Sequence, residues 1–362
     1  MCDTNGYVAR HLRRWQLLIA LLISAMSAAV STAEVPNVNH GPNVNHGPNV
    51  NHGSSLLQTA PDPTGLAATN TAGKTTYVVV ATAPGIKLLQ STDLRSWQAV
   101  GTVFDKPVPD WAHDEIPGAR NIWAPDLSYH DGLYYLYYSV STMGSQRSVI
   151  GLAVNKSIDP ASADYKWQDR GKVIESHPHD NDFNAIDPAL FVDQDGRWLL
   201  FFGSYWTGIK VVEIDPATGK PKPDAEIKAV AAHPDTKSRD IEAAYVIFHD
   251  GYYYLFVSWG SCCDGAKSTY HVVVGRSRSA IGPFVDAAGK PLLEGGGTLV
   301  LAGDDRWRGP GHNGVITTDA GEWMVHHTYD MEHLDAQRIL QVRPLTWTNA
   351  GWPQVGDPLA AP

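Results

Sequence analysis

Asp131-Gly132-Leu133-Tyr134-Tyr135-Leu136-Tyr137-Tyr138 is the segment whose reading decides the fold. An Asp-Gly pair between two β-rich runs is a strong hairpin signal. The aromatic run that follows has the composition of a strand. The same device returns as Asp195-Gly196 before Trp198-Leu199-Leu200-Phe201-Phe202, as Asp250-Gly251 before Tyr252-Tyr253-Tyr254-Leu255-Phe256, and as Ala320-Gly321 before Trp323-Met324-Val325-His326-His327. A looser version, Ala72-Gly73 before Tyr77-Val78-Val79-Val80, stands nearer the start. A short polar motif precedes each turn: Asp62-Pro63, Ala124-Pro125-Asp126, Asp187-Pro188, Glu242-Ala243-Ala244 and Gly311-His312-Asn313. With Asp62, Asp126, Asp187, Glu242 and His312 as markers, the steps are 64, 61, 55 and 70 residues.

Units of about 60 residues, each the length of a four-stranded sheet, predict an all-β chain folded as a five-bladed β-propeller over residues 60–362. A small sheet cannot bury both of its faces alone, whereas a ring of sheets buries them against one another and leaves only short edges. The innermost strand of each blade lines the axis, so the five markers are expected to converge at one end of it. In the competing arrangement, a β-sandwich of about 20 strands, they would scatter.

Composition narrows the function. The chain has 362 residues, 28 basic and 38 acidic, for a net charge of −10. That balance, without any Lys/Arg block, excludes a nucleic-acid binder of the electrostatic kind. Hydrophobic residues at 43% and charged ones at 18% describe a globular chain. Residues 1–33 read as a signal peptide: Arg10, Arg13 and Arg14, an apolar run from Trp15 to Met26, then small residues to Ala33. That run is too short to span a bilayer, so the mature form is expected to be secreted or periplasmic, free of the membrane and monomeric. Residues 34–59 read as a flexible linker built on Asn-Val-Asn-His-Gly-Pro repeats. Cleavage at Ala33 removes Cys2 and leaves Cys262 and Cys263, adjacent in sequence. Adjacent cysteines cannot staple a fold, and the pair is open between a vicinal disulfide and two small buried thiols.

Several carboxylates around a water-accessible axis suit either an oxygen-ligand metal site or glycoside hydrolysis by a carboxylate pair. The aromatic residues favour sugars. Trp123 precedes one motif and Tyr205-Trp206 follow a strand, and aromatic faces stack on the C–H surfaces of sugar rings.

These residues carry a resemblance. From about residue 60 onward the chain resembles the glycoside hydrolase family 43 arabinanases. The likeness lies in Gly85-Ile86-Lys87-Leu88-Leu89-Gln90-Ser91-Thr92-Asp93-Leu94, Trp123-Ala124-Pro125-Asp126, Gly144-Ser145-Gln146-Arg147-Ser148 and Asn184-Ala185-Ile186-Asp187-Pro188. It continues in Gly203-Ser204-Tyr205-Trp206-Thr207-Gly208-Ile209-Lys210, Ile241-Glu242-Ala243, Ser261-Cys262-Cys263 and Gly309-Pro310-Gly311-His312-Asn313. The resemblance implies a secreted five-bladed propeller that cuts internal α-1,5-L-arabinofuranosidic bonds of arabinan or arabino-oligosaccharides with inversion. It implies Asp62 as general base, Glu242 as general acid, and Asp187 as the carboxylate that orients the acid and raises its pKa. Trp123, Gly144, Asn184, Ser204 and Trp206 resemble positions that line sugar subsites. His312 resembles a histidine that helps to hold calcium on the axis; no organic cofactor is implied. The chain departs from the family at its start, where Ala60-Pro61-Asp62-Pro63 replaces the usual His-Asp-Pro and about four extra residues precede Tyr77. Two other activities remain to be separated from the endo reading: an exo-acting α-L-arabinofuranosidase or β-xylosidase, and a non-catalytic sugar-binding propeller.

Overall fold

A computed structural model describes residues 58–69, 73–333 and 337–360. The signal peptide and all of the linker up to residue 57 lie outside the described residues. Five antiparallel sheets follow one another along the chain. Blade 1 is β1 (Thr64–Thr69), β2 (Thr75–Ala81), β3 (Lys87–Ser91) and β4 (Gln98–Thr102). After the short helix α1 (Asp110–Glu115), blade 2 is β5 (Trp123–His130), β6 (Leu133–Val140), β7 (Ser148–Asn155) and β8 (Gln168–Ser176). Blade 3 is β9 (Ala189–Val192), β10 (Trp198–Phe202) and β11 (Ile209–Asp215), with β12 (Lys220–Pro221) and β13 (Lys228–Ala231) both paired to β11. Blade 4 is β14 (Ile241–His249), β15 (Tyr252–Trp259), β16 (His271–Ser277) and β17 (Thr298–Leu301). Blade 5 is β18 (Trp307–Thr318), β19 (Gly321–Asp330), β20 (Ile339–Trp347) and β21 (Pro353–Val355). The protein is a five-bladed β-propeller.

Strand periodicity explains the ring. Along β2, Val78 and Val80 face blade 2, whereas Val79 and Ala81 face blade 5, because successive side chains point to opposite faces. Both faces of each blade are therefore apolar, which is why the second strands read as unbroken hydrophobic runs. The core consists of five clusters, one between each pair of neighbours. Val78 and Leu88 meet Leu136 and Val149 between blades 1 and 2; Tyr137 and Ile150 meet Leu200 and Phe202 between 2 and 3. Phe201 and Val211 meet Leu255 and Val273 between 3 and 4; Phe256 and Val272 meet Val315 and Met324 between 4 and 5. Ile316 and Val325 close the ring on Val79 and Leu89. Each buried Val, Leu or Phe contributes about 1.5–3 kcal/mol.

The Asp-Gly turns fall between first and second strands as expected. Asp131/Gly132 and Asp250/Gly251 both have positive φ at the two central residues, the type I′ geometry whose twist matches that of the flanking strands. Gln58 and Thr59, read from sequence as the end of the linker, already belong to the propeller. Thr59 bridges Ile339, Gln58 O accepts the Leu340 N–H, and Ala60 N–H donates to Arg338 O. The start of the ordered chain thus covers part of the edge of β20 and ties the first blade to the last.

Candidate active site

The ring is built on a repeated backbone feature at the head of each blade. Asp62, Ala124, Asp187, Ala243 and His312 all have left-handed φ, between 45° and 56°. Non-glycine residues rarely adopt this region, and its repetition indicates a common task. At each of them the backbone N–H turns toward the preceding blade and donates to a side chain there. Ala124 donates to Thr82 Oγ1 at 2.8 Å, Asp187 to Ser139 Oγ at 2.9 Å and His312 to Ser258 Oγ at 2.9 Å. Asp62 donates to His327 Nδ1 at 3.0 Å, which closes the circle. Blade 4 is different. Ala243 N–H goes to the Asp187 carboxylate, Oδ2 at 3.1 Å, and Ser204 is left to donate to Glu242 Oε2 at 2.7 Å. The register breaks at Trp123/Asp126, Glu242/Tyr245 and Gly311/Gly314 lie at these same points; bulges of this kind re-aim side chains at the rim of a sheet.

This repeat corrects one expectation. The blade 2 counterpart of Asp62 and Asp187 is Ala124, and Asp126 does not reach the cleft. It is buried, and its Oδ2 accepts the Leu190 N–H of blade 3 at 2.8 Å. Burial pushes its carboxyl up to about 7. Two residues along a strand move a side chain away from the rim and down the axis, so Asp126 joins blades 2 and 3 instead of facing solvent.

The other markers surround one cavity of about 800 Å³ at the end of the axis. Asp62, Asp187, Glu242 and His312 lie in its wall, as do Trp123, Gly144, Asn184, Ser204 and Trp206. Gly203 and Gly208 bracket the Ser204–Trp206 turn. Gly203 has φ 126°, and a Cβ there would lie 2.5 Å from Gly208 O, so the tight turn requires glycine. Tyr205 and Trp206, both at positive φ, follow from it into the cavity.

The three carboxyls have opposed surroundings. Asp62 Oδ2 accepts the Thr82 hydroxyl at 2.6 Å, and Oδ1 accepts Arg338 Nη1 at 3.1 Å. Burial alone would raise the pKa of Asp62, but the Arg338 guanidinium prevails and holds it well below the usual carboxylate range. Glu242 has no cation at hydrogen-bond distance. It accepts Ser204 Oγ at 2.7 Å and Tyr270 OH at 2.8 Å. Burial pushes its carboxyl up, against those two hydrogen bonds and with the repulsion of Asp62. Asp187 is driven well up by burial, then by the charges of Glu242 and Asp62. Blades 1 and 4 are not neighbours in the ring, so a carboxyl held ionised and a carboxyl inclined to keep its proton face each other across the axis.

The histidines are neutral donors and acceptors. Burial depresses His312 to about 4. Its Nδ1 lies 3.6 Å from Asp62 Oδ1. Calcium takes six to eight oxygen ligands, and the nearest carboxylate oxygen is already shared with Arg338. The residues at this point would offer calcium one imidazole nitrogen and no free carboxylate oxygen, so water oxygens would have to complete the shell. Asp62, Cys262 and His327 also cluster, with one ligand atom of each within 4.8 Å. Here the hydrogen bonding speaks against a metal. His327 Nδ1 accepts the Asp62 N–H, so the proton of the neutral ring sits on Nε2, which faces Cys262 Sγ at 4.0 Å and cannot ligate.

The Glycosyl hydrolases family 43 profile matches residues 56–353. The chain belongs to glycoside hydrolase family 43. It is 40% identical over 291 residues, 78% of this chain and 83% of the other, to an extracellular exo-α-(1→5)-L-arabinofuranosidase of Cellvibrio japonicus. It is 41% identical over 269 residues, 74% and 79% of the two chains, to an extracellular endo-α-(1→5)-L-arabinanase of Bacillus subtilis. The solved α-L-arabinanase of Cellvibrio cellulosa, complexed with arabinohexaose, superposes with a TM-score of 0.76 at 38% identity, over 83% of this chain and 96% of that one. Endo- and exo-acting family 43 enzymes are thus about equally similar to it.

Sequence reasoning missed four residues of this family 43 site. Thr82, Tyr270 and Arg338 hold the carboxyls and His327 accepts the backbone N–H of Asp62, yet each stands in a second or third strand or a loop with no motif around it. The only signal was polarity inside apolar runs, such as His326-His327 after Trp323-Met324-Val325. Of the two readings left open for the cysteines, the structure has thiols, but neither is fully buried: Cys263 is exposed, and both line the cavity.

Proposed function

We propose that the protein is exported and hydrolyses internal α-1,5-L-arabinofuranosidic bonds of arabinan with inversion. The observation that carries this reading is the opposed environment of Asp62 and Glu242 across one cleft. Two carboxyls whose surroundings push their pKa values apart divide into base and acid. Asp62, kept ionised by Arg338, takes a proton from the water that attacks the anomeric carbon. Glu242, kept protonated, gives its proton to the departing O5 of the next sugar. Asp187 holds the Ala243 N–H, which fixes the backbone beside the acid, and the two carboxyls repel each other, the charge of Glu242 raising the pKa of Asp187. Trp123 and Trp206 offer ring faces to the sugars; Gly144, Asn184 and Ser204 complete the wall.

The endo reading is supported by the segment 105–122. An exo-enzyme needs a barrier across one end of its cleft. In this segment Ala112, Ile116 and Ala119 are buried against blades 1 and 2. Glu115 pairs with Arg147 and with Lys172, and both cations pair with Glu175 at 3.0 and 2.8 Å. The segment is pinned to the flank, and only its Asn121 borders the cavity. Sizing the early products from debranched arabinan tests the reading. Oligosaccharides of mixed length are expected; arabinose alone, or one short product alone, favours the exo activity instead. Export is supported by the cationic and apolar leader ending at Ala33 and by relatives named extracellular.

Tyr270→Phe gives a pH test of the acid. The tyrosine's hydrogen bond favours ionised Glu242, so its loss raises the pKa. Activity falls as the acid deprotonates, and the basic limb of the kcat/KM profile should move to higher pH by roughly half to one unit. A limb that stays in place or moves down contradicts the assignment.

Calcium, when bound through His312 and water, would supply positive charge beside Asp62 on the axis. His312→Ala should lose the metal measured by elemental analysis of the purified protein, and a chelator should lower the melting temperature of the parent alone. Equal metal content in parent and variant would dismiss the site.

A further inference from the structure

We propose that Cys262 and Cys263 are a redox pair in the wall of the catalytic cleft, which a small-molecule disulfide closes into a vicinal disulfide, releasing Arg338 to serve Asp62 alone. Four observations meet here. The two sulfurs lie 2.7 Å apart, inside van der Waals contact. Both border the cavity that holds Asp62 and Glu242. Cys262 Sγ accepts Arg338 Nη1 at 3.5 Å, and the same nitrogen donates to Asp62 Oδ1 at 3.1 Å. The thiols also differ in kind: a hydrogen bond from Cys262 favours ionisation of Cys263, which is the exposed one, and disfavours that of Cys262. An accessible, more acidic thiol beside a protonated partner is the arrangement that thiol–disulfide exchange uses.

The step balances as an exchange. The Cys263 thiolate attacks one sulfur of the oxidant, a mixed disulfide forms, and one small thiol leaves. Cys262 then gives up its proton and attacks the Cys263 sulfur, and the second small thiol leaves. Two electrons and two protons pass from the pair to the oxidant. Neighbouring residues have Cα atoms 3.8 Å apart, closer than ordinary disulfides favour, and strained bridges are the reducible ones. The bridge is therefore reversible. In the dithiol form, a Cys263 thiolate adds negative charge to a cleft that already holds three carboxyls, and Cys262 shares the Arg338 hydrogen bond with Asp62. Closing the bridge removes both effects.

The test uses the full exported chain, incubated with glutathione disulfide, then denatured and treated with iodoacetamide without reductant. The tryptic peptide 240–267 carries both cysteines. It should be unlabelled and lighter by two hydrogens, and should take two labels once reduced. Two labels without reduction overturn the proposal. In the second arm, reduction of the folded protein should lower kcat/KM on debranched arabinan about fivefold, the weight of one hydrogen bond. Cys262→Ser/Cys263→Ser, or Cys263→Ser alone if the double variant does not fold, should be indifferent to the reductant. A parent unaffected by reduction, or variants that respond as the parent does, overturns the functional half. The thiol count needs no substrate, so its outcome is independent of the arabinan reading.

Discussion

Glu242→Gln should lose about 10³-fold or more in kcat on arabinan while it still binds arabino-oligosaccharides with nearly the affinity of the parent. The amide keeps the shape: its oxygen accepts one of the Ser204 and Tyr270 hydrogen bonds, and its NH2 donates to the other hydroxyl once that has turned, but it has no acidic proton to give the leaving oxygen. General acid catalysis is worth about 10²–10⁴, and a sugar alkoxide is a poor leaving group, so the upper part of that range applies. An aryl arabinofuranoside with an acidic phenol leaves without help and should recover most of the rate. Kinetics on both substrates and calorimetry with arabinohexaose check this. Undiminished turnover of arabinan would show that the proton comes from elsewhere. The same variant separates an enzyme from a non-catalytic sugar-binding propeller, whose properties it would leave unchanged.

Asp62→Asn should lose activity by about 10²–10⁴-fold on arabinan and on the activated aryl glycoside alike, because activation of water is needed whatever the leaving group. Azide should restore turnover of the aryl substrate and yield a glycosyl azide of inverted configuration, since azide needs no base. Arg338 makes the variant informative in another way. It is largely buried and pairs with the Asp62 carboxylate. Its charge would be left without that partner, so a lower melting temperature should accompany the loss of rate. A variant that keeps activity on both substrates would remove Asp62 from the mechanism.

The fold was legible because a propeller repeats its signals. Asp-Gly turns, aromatic second strands and a polar motif recur at about 60 residues, and the ring is the arrangement that buries both faces of every blade. The site was legible where it coincides with that repeat, at Asp62, Asp187 and His312. It was misread where spacing stood in for backbone geometry. Asp126 is an acid near the expected distance, but the left-handed residue of blade 2 is Ala124, and two positions decide between the rim and the interior. The groups that set the carboxyl chemistry could not be read at all. Arg338 lies 276 residues from Asp62 and His327 lies 265 from it. Closure of the last blade on the first brings them together, and no local pattern encodes that contact.

The most direct measurement is the configuration of the newly formed reducing end, followed by proton NMR in the first minutes of arabinan hydrolysis. A base and an acid facing each other across the axis deliver water opposite to the departing sugar, so the β-furanose should appear first and mutarotate afterwards. The α-anomer as first product would mean a covalent intermediate, and would contradict the roles given to Asp62 and Glu242.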